Sequence, residues 1–104
     1  MYAGAGLAQH TWDALHRLAE KHTGHDVLLT TGLGSTETGP FATMCTEAQE
    51  SAGNVGVPAK GVTLKLVPNG GKLEARLKSP SITPGYLGDA AKTAEMRDEE
   101  GFYI

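Results

Sequence analysis

Cysteine, aromatics, long apolar runs and an excess of basic charge are all scarce in this chain. Cys45 is the only cysteine in 104 residues, which excludes an internal disulfide framework and fits a reducing, cytoplasmic setting. It has no Cys-x-x-Cys partner and reads as a small, partly buried side chain. No apolar run is long enough to cross a bilayer. The opening residues Met1 to Gly6 lack the charged and apolar regions of a secretory leader. Net charge is −3, with acidic and basic residues mixed, so no basic stripe interleaved with aromatics speaks for nucleic acid. Hydrophobic residues make up 39% of the chain, which predicts a thin core and marginal stability for a chain of this size.

Glycine, by contrast, is plentiful: there are 14, about twice the usual share of roughly 7%. The densest stretch is Thr30-Thr31-Gly32-Leu33-Gly34-Ser35-Thr36-Glu37-Thr38-Gly39-Pro40, with three glycines, four threonines and a single charge, Glu37. It follows the apolar run Val27-Leu28-Leu29. A strand running into such a loop suits a phosphate and a hard metal ion. Glycine admits close backbone approach, amides and hydroxyls bond phosphate oxygens, and a carboxylate holds Mg²⁺. The same composition also suits an ordinary solvated turn.

Local patterns predict an α+β chain: a helix and a strand, then an antiparallel hairpin and a short helix. Ala8, Trp12, Leu15 and Ala19 make an apolar stripe on a helix over 9–22. Lys21 and His22 near its end complement the helix dipole, and Gly24 is its stop. The run at 26–31 predicts a strand buried on both faces. Val62, Leu64 and Leu66 alternate with Thr63 and Lys65, and Leu73, Ala75 and Leu77 alternate with Lys72, Glu74, Arg76 and Lys78. Pro68-Asn69-Gly70-Gly71 between them signals a hairpin over 62–78 with one apolar face and one charged, solvated face. Asp89 is placed to cap a short helix reaching about Arg97. A turn at 98–101 then leads into a strand beginning at Phe102, where the chain stops in mid-element, as a truncated product does.

Other chemistries find less support. His22 and His25 lack the partners of a zinc pattern, and His10 and His16, six apart, lie on different helix faces. Ser35 is not in a Gly-x-Ser-x-Gly elbow. Gly4-Ala5-Gly6 and Gly32-Leu33-Gly34 continue to neither a dinucleotide fingerprint nor a P-loop. Lys60 sits in a Pro-Ala-Lys-Gly turn and reads as solvated.

Taken in order, the motifs resemble the acyl-adenylate-forming (AMP-binding) synthetases: acyl-CoA synthetases, luciferases and peptide-synthetase adenylation domains. That family carries an aromatic residue followed by Gly-x-Thr-Glu, matched here by Leu33-Gly34-Ser35-Thr36-Glu37. Its Gly-x-Val-Gly-x-Pro…Gly stretch is matched by Gly53-Asn54-Val55-Gly56-Val57-Pro58 and Gly61. A strand pair follows, then Pro80-Ser81-Ile82-Thr83-Pro84-Gly85-Tyr86, a threonine in a short helix at Thr93, and the turn Glu100-Gly101-Phe102. Upstream, Ala3-Gly4-Ala5-Gly6-Leu7 is similar to a Gly-Gly-Ala-Pro-Leu turn. The match covers nearly the whole chain, and its phrasing looks most like bacterial feruloyl-CoA synthetases.

The resemblance implies a partial AMP-binding domain over 1–104, truncated at both ends. Residues 1–40 would end an α/β subdomain and 41–104 would belong to a β-rich one. It implies ATP, Mg²⁺ and CoA as cofactors and a carboxylic acid, aromatic in the feruloyl-like case, as substrate. Thr36 and Glu37 would be the catalytic pair, Thr36 on ATP phosphate oxygens and Glu37 on Mg²⁺. Gly32, Leu33, Gly34 and Ser35 would line the nucleotide and acyl group, with Gly4 and Ala5 against the adenine. Leu33 stands where the family has an aromatic, which keeps apolar contact but loses stacking, and Gly71-Lys72 replaces the usual Gly-Glu. The family's pyrophosphate loop, ribose-binding Asp, hinge and catalytic lysine fall outside these residues, so the chain alone is expected to be inactive. Two alternatives remain: a non-enzymatic β-rich interaction module, and an adenylation segment with an acceptor other than CoA. Faces left uncovered would favour self-association.

Overall fold

The helix forms where the stripe predicts. A computed structural model of residues 1–104 places α1 at Gln9–Thr23. Gly24 adopts a left-handed conformation with φ 76° and donates its N–H to Glu20 O at 2.8 Å, ending the helix as a glycine C-cap does. Five strands follow: β1 Thr31–Ser35, β2 Gly39–Cys45, β3 Val57–Pro58, β4 Thr63–Asn69 and β5 Lys72–Lys78. A last helix, α2, spans Ala90–Glu95. The strands form a three-stranded sheet in the order β1-β2-β3 and a two-stranded ribbon β4-β5. The α+β class expected from the sequence is what the structure shows.

The chain divides into two compact units interleaved in sequence. The first comprises Met1–Leu33 and Thr43–Val57, the second Gly34–Ala42 and Pro58–Ile104. In the first, Trp12 of α1 is buried, as are Cys45 and Ala52. The leading segment is tied in through Tyr2, whose N–H donates to Thr30 O at 2.9 Å and whose hydroxyl donates to Ala52 O at 2.8 Å. Thr43, also buried, accepts from Leu33 N at 3.2 Å and donates to Val55 O at 2.7 Å, a side chain doing a backbone's bonding.

The core of the second unit is Ala42, Leu77, Ile82 and Met96, with Val62, Leu64, Tyr86 and Tyr103 packed around it. The ribbon register pairs Leu64 with Leu77 and Leu66 with Ala75, so the apolar face reaches the core at its base. Tyr103 continues the sheet at one position, exchanging backbone bonds of 3.0 and 2.7 Å with Leu77. Asp89 caps α2 by accepting from Lys92 N at 2.9 Å, as its position suggests.

Two expectations are corrected. No strand forms over 26–30; the chain there has no ladder partner, and Leu28 is 48% exposed. The strand begins at Thr31 because that is where β2 comes alongside. The glycine-rich stretch is therefore a β-hairpin, with its turn at 36–38, and not a loop after a strand.

The second correction concerns the ribbon's two faces. Toward its tip the apolar side chains are bare, Leu66 at 54% and Leu73 at 62% exposed. Lys65 and Arg76, expected in solvent, are half-buried under the 98–102 turn. Asp98 draws them in: its Oδ2 meets Lys65 Nζ at 2.7 Å and Arg76 Nη1 at 3.0 Å. Its Oδ1 accepts from the backbone N–H groups of Glu100 and Phe102 at 3.1 and 2.9 Å. With both carboxylate oxygens occupied, the charged form is strongly favoured. The Lys65 ammonium, first among these partners, holds the Asp98 carboxyl far below the usual carboxylate range. Lys65 Nζ also lies 4.4 Å from the Phe102 ring centroid, within cation–π range.

Candidate functional site

The turn of the β1–β2 hairpin presents Ser35, Thr36 and Glu37. Its shape depends on Gly34: a Cβ there would stand 2.3 Å from Pro40 O and 2.5 Å from Pro40 C, so only glycine lets the two strands close. Gly39, at φ 81°, starts the return strand from a conformation other residues rarely adopt. Inside the turn, Ser35 N donates to Thr38 Oγ1 at 2.9 Å, and the two hydroxyls lie 3.1 Å apart. Thr38 is buried and holds the turn from within, whereas Ser35 and Thr36 are exposed and Glu37 is half-exposed. The outward groups are thus the Thr36 hydroxyl and the Glu37 carboxylate, with the Ser35 hydroxyl beside them bonded back to Thr38.

A second segment fixes this turn from the side. Thr83 N donates to Glu37 O at 2.7 Å, and Ser81 Oγ donates to Thr38 O at 3.0 Å. The Tyr86 hydroxyl donates to Glu37 Oε1 at 2.9 Å. That hydroxyl is the main reason the Glu37 carboxyl lies below its ordinary range. The residue's own N–H, the Ser35 hydroxyl and the Lys92 ammonium act the same way against partial desolvation. The Tyr86 phenol is pushed up in turn, chiefly because Glu37 holds its proton. Near neutral pH this is an ionised carboxylate gripped by a protonated phenol.

Tyr86 is itself held. Its N–H donates to Thr93 Oγ1 at 2.9 Å, and that hydroxyl donates to Asp89 O at 2.7 Å. Lys92 Nζ sits 4.3 Å from the Tyr86 ring centroid. Gly85 allows this packing, since a Cβ there would come within 2.5 Å of Thr93 Cγ2. Sequence reasoning quoted Tyr86 and Thr93 within motifs but gave neither a role. The signal was their order in the chain; what joins them to Glu37, 49 positions from Tyr86, is folding.

The other candidate residues divide between the two units. Gly34, Ser35, Thr36 and Glu37 belong to the second, and Gly4, Ala5, Gly32 and Leu33 to the first. Leu33 is 43% exposed, an apolar side chain open to a flat ligand. Gly4 has φ 94° and open space where a Cβ would stand. His22 and His25 are exposed, while His16 is half-buried, its Nδ1 3.0 Å from Asp26 Oδ1 and its ring tilted at 47° against Trp12 with centroids 4.0 Å apart.

No three His, Cys, Asp or Glu side chains converge as a metal cage. The donor set at the turn is one ionised carboxylate flanked by hydroxyls. That fits Mg²⁺, which keeps several waters and completes its shell with substrate phosphates and one or two carboxylates. It does not fit a zinc-type site.

No family model matches the chain. Among curated proteins it is similar to the nonribosomal peptide synthetase dtxS1 of Metarhizium robertsii, 40% identical over 76 residues, covering 64% of this chain and 1% of that protein. It is likewise similar to the acyl-CoA ligase oryP of Aspergillus oryzae, 39% identical over 71 residues, covering 67% of this chain and 13% of that protein. Among solved structures, apo MatB from Rhodopseudomonas palustris superposes on 98% of the chain with a TM-score of 0.72 and 28% identity. A malonyl-CoA ligase in a ternary product complex with methylmalonyl-CoA and AMP covers 97% with a TM-score of 0.72 and 31% identity. An ATP-bound chimera, RpMatB-BxBclM B3, gives a TM-score of 0.71 at 28% identity. The chain spans 21–22% of the length of these solved structures.

Proposed function

This chain belongs to the acyl-adenylate-forming (AMP-binding) synthetase superfamily, and from that premise we propose that it is one wall of the active site of an ATP-dependent acid–CoA ligase. In the first half-reaction a substrate carboxylate oxygen attacks the α-phosphorus of ATP and pyrophosphate leaves. In the second, a CoA thiolate attacks the acyl carbon and AMP leaves. Thr36 bonds phosphate oxygens from the turn crest, Ser35 and the backbone of Gly32 and Gly34 lie along the nucleotide, and Leu33 packs against the adenine or acyl group. Gly4 and Ala5 are assigned to the adenine on the family resemblance alone. Glu37 would hold Mg²⁺, which when bound would neutralise phosphate charge, most of what phosphoryl chemistry asks of a protein.

The observation that carries this reading is the outward Ser-Thr-Glu turn, fixed from the side by the 81–86 segment, with its carboxylate held in place by the Tyr86 hydroxyl, which also lowers its pKa. The ligands of the solved relatives, ATP in one and AMP with methylmalonyl-CoA in another, support nucleotide and CoA as partners. The acid is proposed to be aromatic and feruloyl-like, on the phrasing Gly-Ser-Thr-Glu-Thr-Gly-Pro and Ser-Ile-Thr-Pro-Gly-Tyr. The peptide-synthetase relative favours a second reading, the same adenylation with a carrier-protein thiol as acceptor.

Titrating the labelled chain with ATP and Mg²⁺ tests the site. Amide shifts should move over 32–37 and should be lost in Thr36→Ala and Glu37→Gln. Shifts confined to other residues, or none, refute it. The chain alone is expected to release no pyrophosphate from ATP with ferulate or malonate, and release would overturn the one-wall reading.

A further inference from the structure

We propose that Tyr86 is a positioning residue that sets which divalent cation Glu37 accepts, by occupying one of its two carboxylate oxygens. The inference rests on the reading of Glu37 as the cation ligand. Glu37 Oε1 receives the Tyr86 hydroxyl at 2.9 Å. A cation seated on both oxygens of Glu37 must therefore share Oε1 with that hydroxyl or displace it. Ca²⁺ takes six to eight oxygens in flexible geometry and often uses a carboxylate through both oxygens, whereas Mg²⁺ demands a compact octahedron and is satisfied by one. A hydroxyl on Oε1 thus penalises Ca²⁺ more than Mg²⁺.

The tyrosine is built to stay in place. Its backbone is tied to Thr93, its ring lies under the Lys92 ammonium, and Gly85 leaves no side chain to push Thr93 away. The backbone of Glu37 is fixed independently, through Thr83 N to Glu37 O at 2.7 Å. Losing the hydroxyl should then free the carboxylate to turn while leaving the hairpin where it is. A hydrogen-bonding partner behind a metal ligand is worth roughly 10- to 100-fold in affinity where it has been removed in other sites.

The test compares wild type, Tyr86→Phe, Glu37→Gln and the double variant, each titrated with ATP in the presence of Mg²⁺ or Ca²⁺. The carboxyl carbon resonance of Glu37 and the amide shifts of the turn are followed by NMR at one fixed pH. Wild type should bind ATP more tightly with Mg²⁺ than with Ca²⁺. In Tyr86→Phe the affinity with Mg²⁺ should fall about tenfold, the Ca²⁺ affinity should hold or rise, and the Glu37 carboxyl resonance should shift before any cation is added. Adding Tyr86→Phe to Glu37→Gln should change nothing further. Tyr86→Phe keeps the ring and its contacts, and its unfolding midpoint reports whether the fold is intact. An unchanged Mg²⁺-to-Ca²⁺ ratio in a folded Tyr86→Phe overturns the role given to the tyrosine alone. A wild type whose cation response is identical in Glu37→Gln overturns that role together with the cation reading beneath it.

Discussion

Replacing Gly34 by alanine should open the hairpin on which the site stands. The added Cβ would lie 2.3 Å from Pro40 O, and ordinary contact begins at 3.4 Å. The strands must therefore part by about 3.4 − 2.3 = 1.1 Å, and both atoms in conflict with it on Pro40 are backbone, which has no rotamer to yield. A hydrogen bond such as Ser35 N to Thr38 Oγ1, now 2.9 Å, would stretch to about 4.0 Å and cease to be one. Overpacking of this kind costs about 1–3 kcal/mol, and each lost bond adds about 0.5–1.5 kcal/mol. A total near 2–3 kcal/mol corresponds to roughly 10 °C or more in the unfolding midpoint of a chain this size. Gly6→Ala is the control, because its Cβ meets nothing within 4 Å and its φ is not in the left-handed region. Thermal and urea unfolding of the two variants measures the difference. If Gly34→Ala unfolds with Gly6→Ala and keeps the wild-type amide shifts at 35–38, close approach of the strands is not what shapes the turn.

The ion network and the core offer two more tests. The Asp98 carboxyl is depressed far below the usual carboxylate range by Lys65, the Phe102 backbone N–H and Arg76. Its stabilisation is therefore complete above the unfolded value of about 4 and is lost as pH falls toward the folded one. Asp98→Asn should lower the unfolding midpoint at pH 7 and flatten its acid dependence; equal acid slopes in the two proteins would refute the assignment. Leu77→Ala, at a side chain 5% exposed, should cost about 2–5 kcal/mol. Leu66→Ala, 54% exposed on the same ribbon, should cost no more than about 0.5 kcal/mol. Comparable urea midpoints for the two would mean that the ribbon's base is not anchored in the core.

The elements readable in advance were those whose signals are local. The α1 stripe, Gly24 as its stop, the Asn69-Gly70-Gly71 turn and Asp89 as a cap each act within a few residues, so spacing alone locates them. The strand expected over 26–31 failed at 26–30 for the opposite reason. Val27-Leu28-Leu29 has the composition of a buried strand, but a strand exists only where a partner runs beside it, and β2 meets the chain from Thr31 onward. The ribbon's charged face was misread likewise, because nothing near Lys65 or Arg76 in sequence announces that Asp98 will come to lie on them.

The candidate site divides along the same line. By itself the sequence determined which groups stand at the turn: Ser35, Thr36 and Glu37 between glycines, the only carboxylate among hydroxyls. Glycine and threonine content is a local property, and ordered motifs on either side gave that turn its family. Only the tertiary structure decided that the stretch is a hairpin closed by the absence of a Cβ at Gly34. Only the fold brought Tyr86 across 49 positions to Glu37 Oε1, and with it the lowered pKa and the orientation of the carboxylate. Those depend on distances of about 3 Å between remote residues, and a sequence records such distances nowhere until the chain has packed.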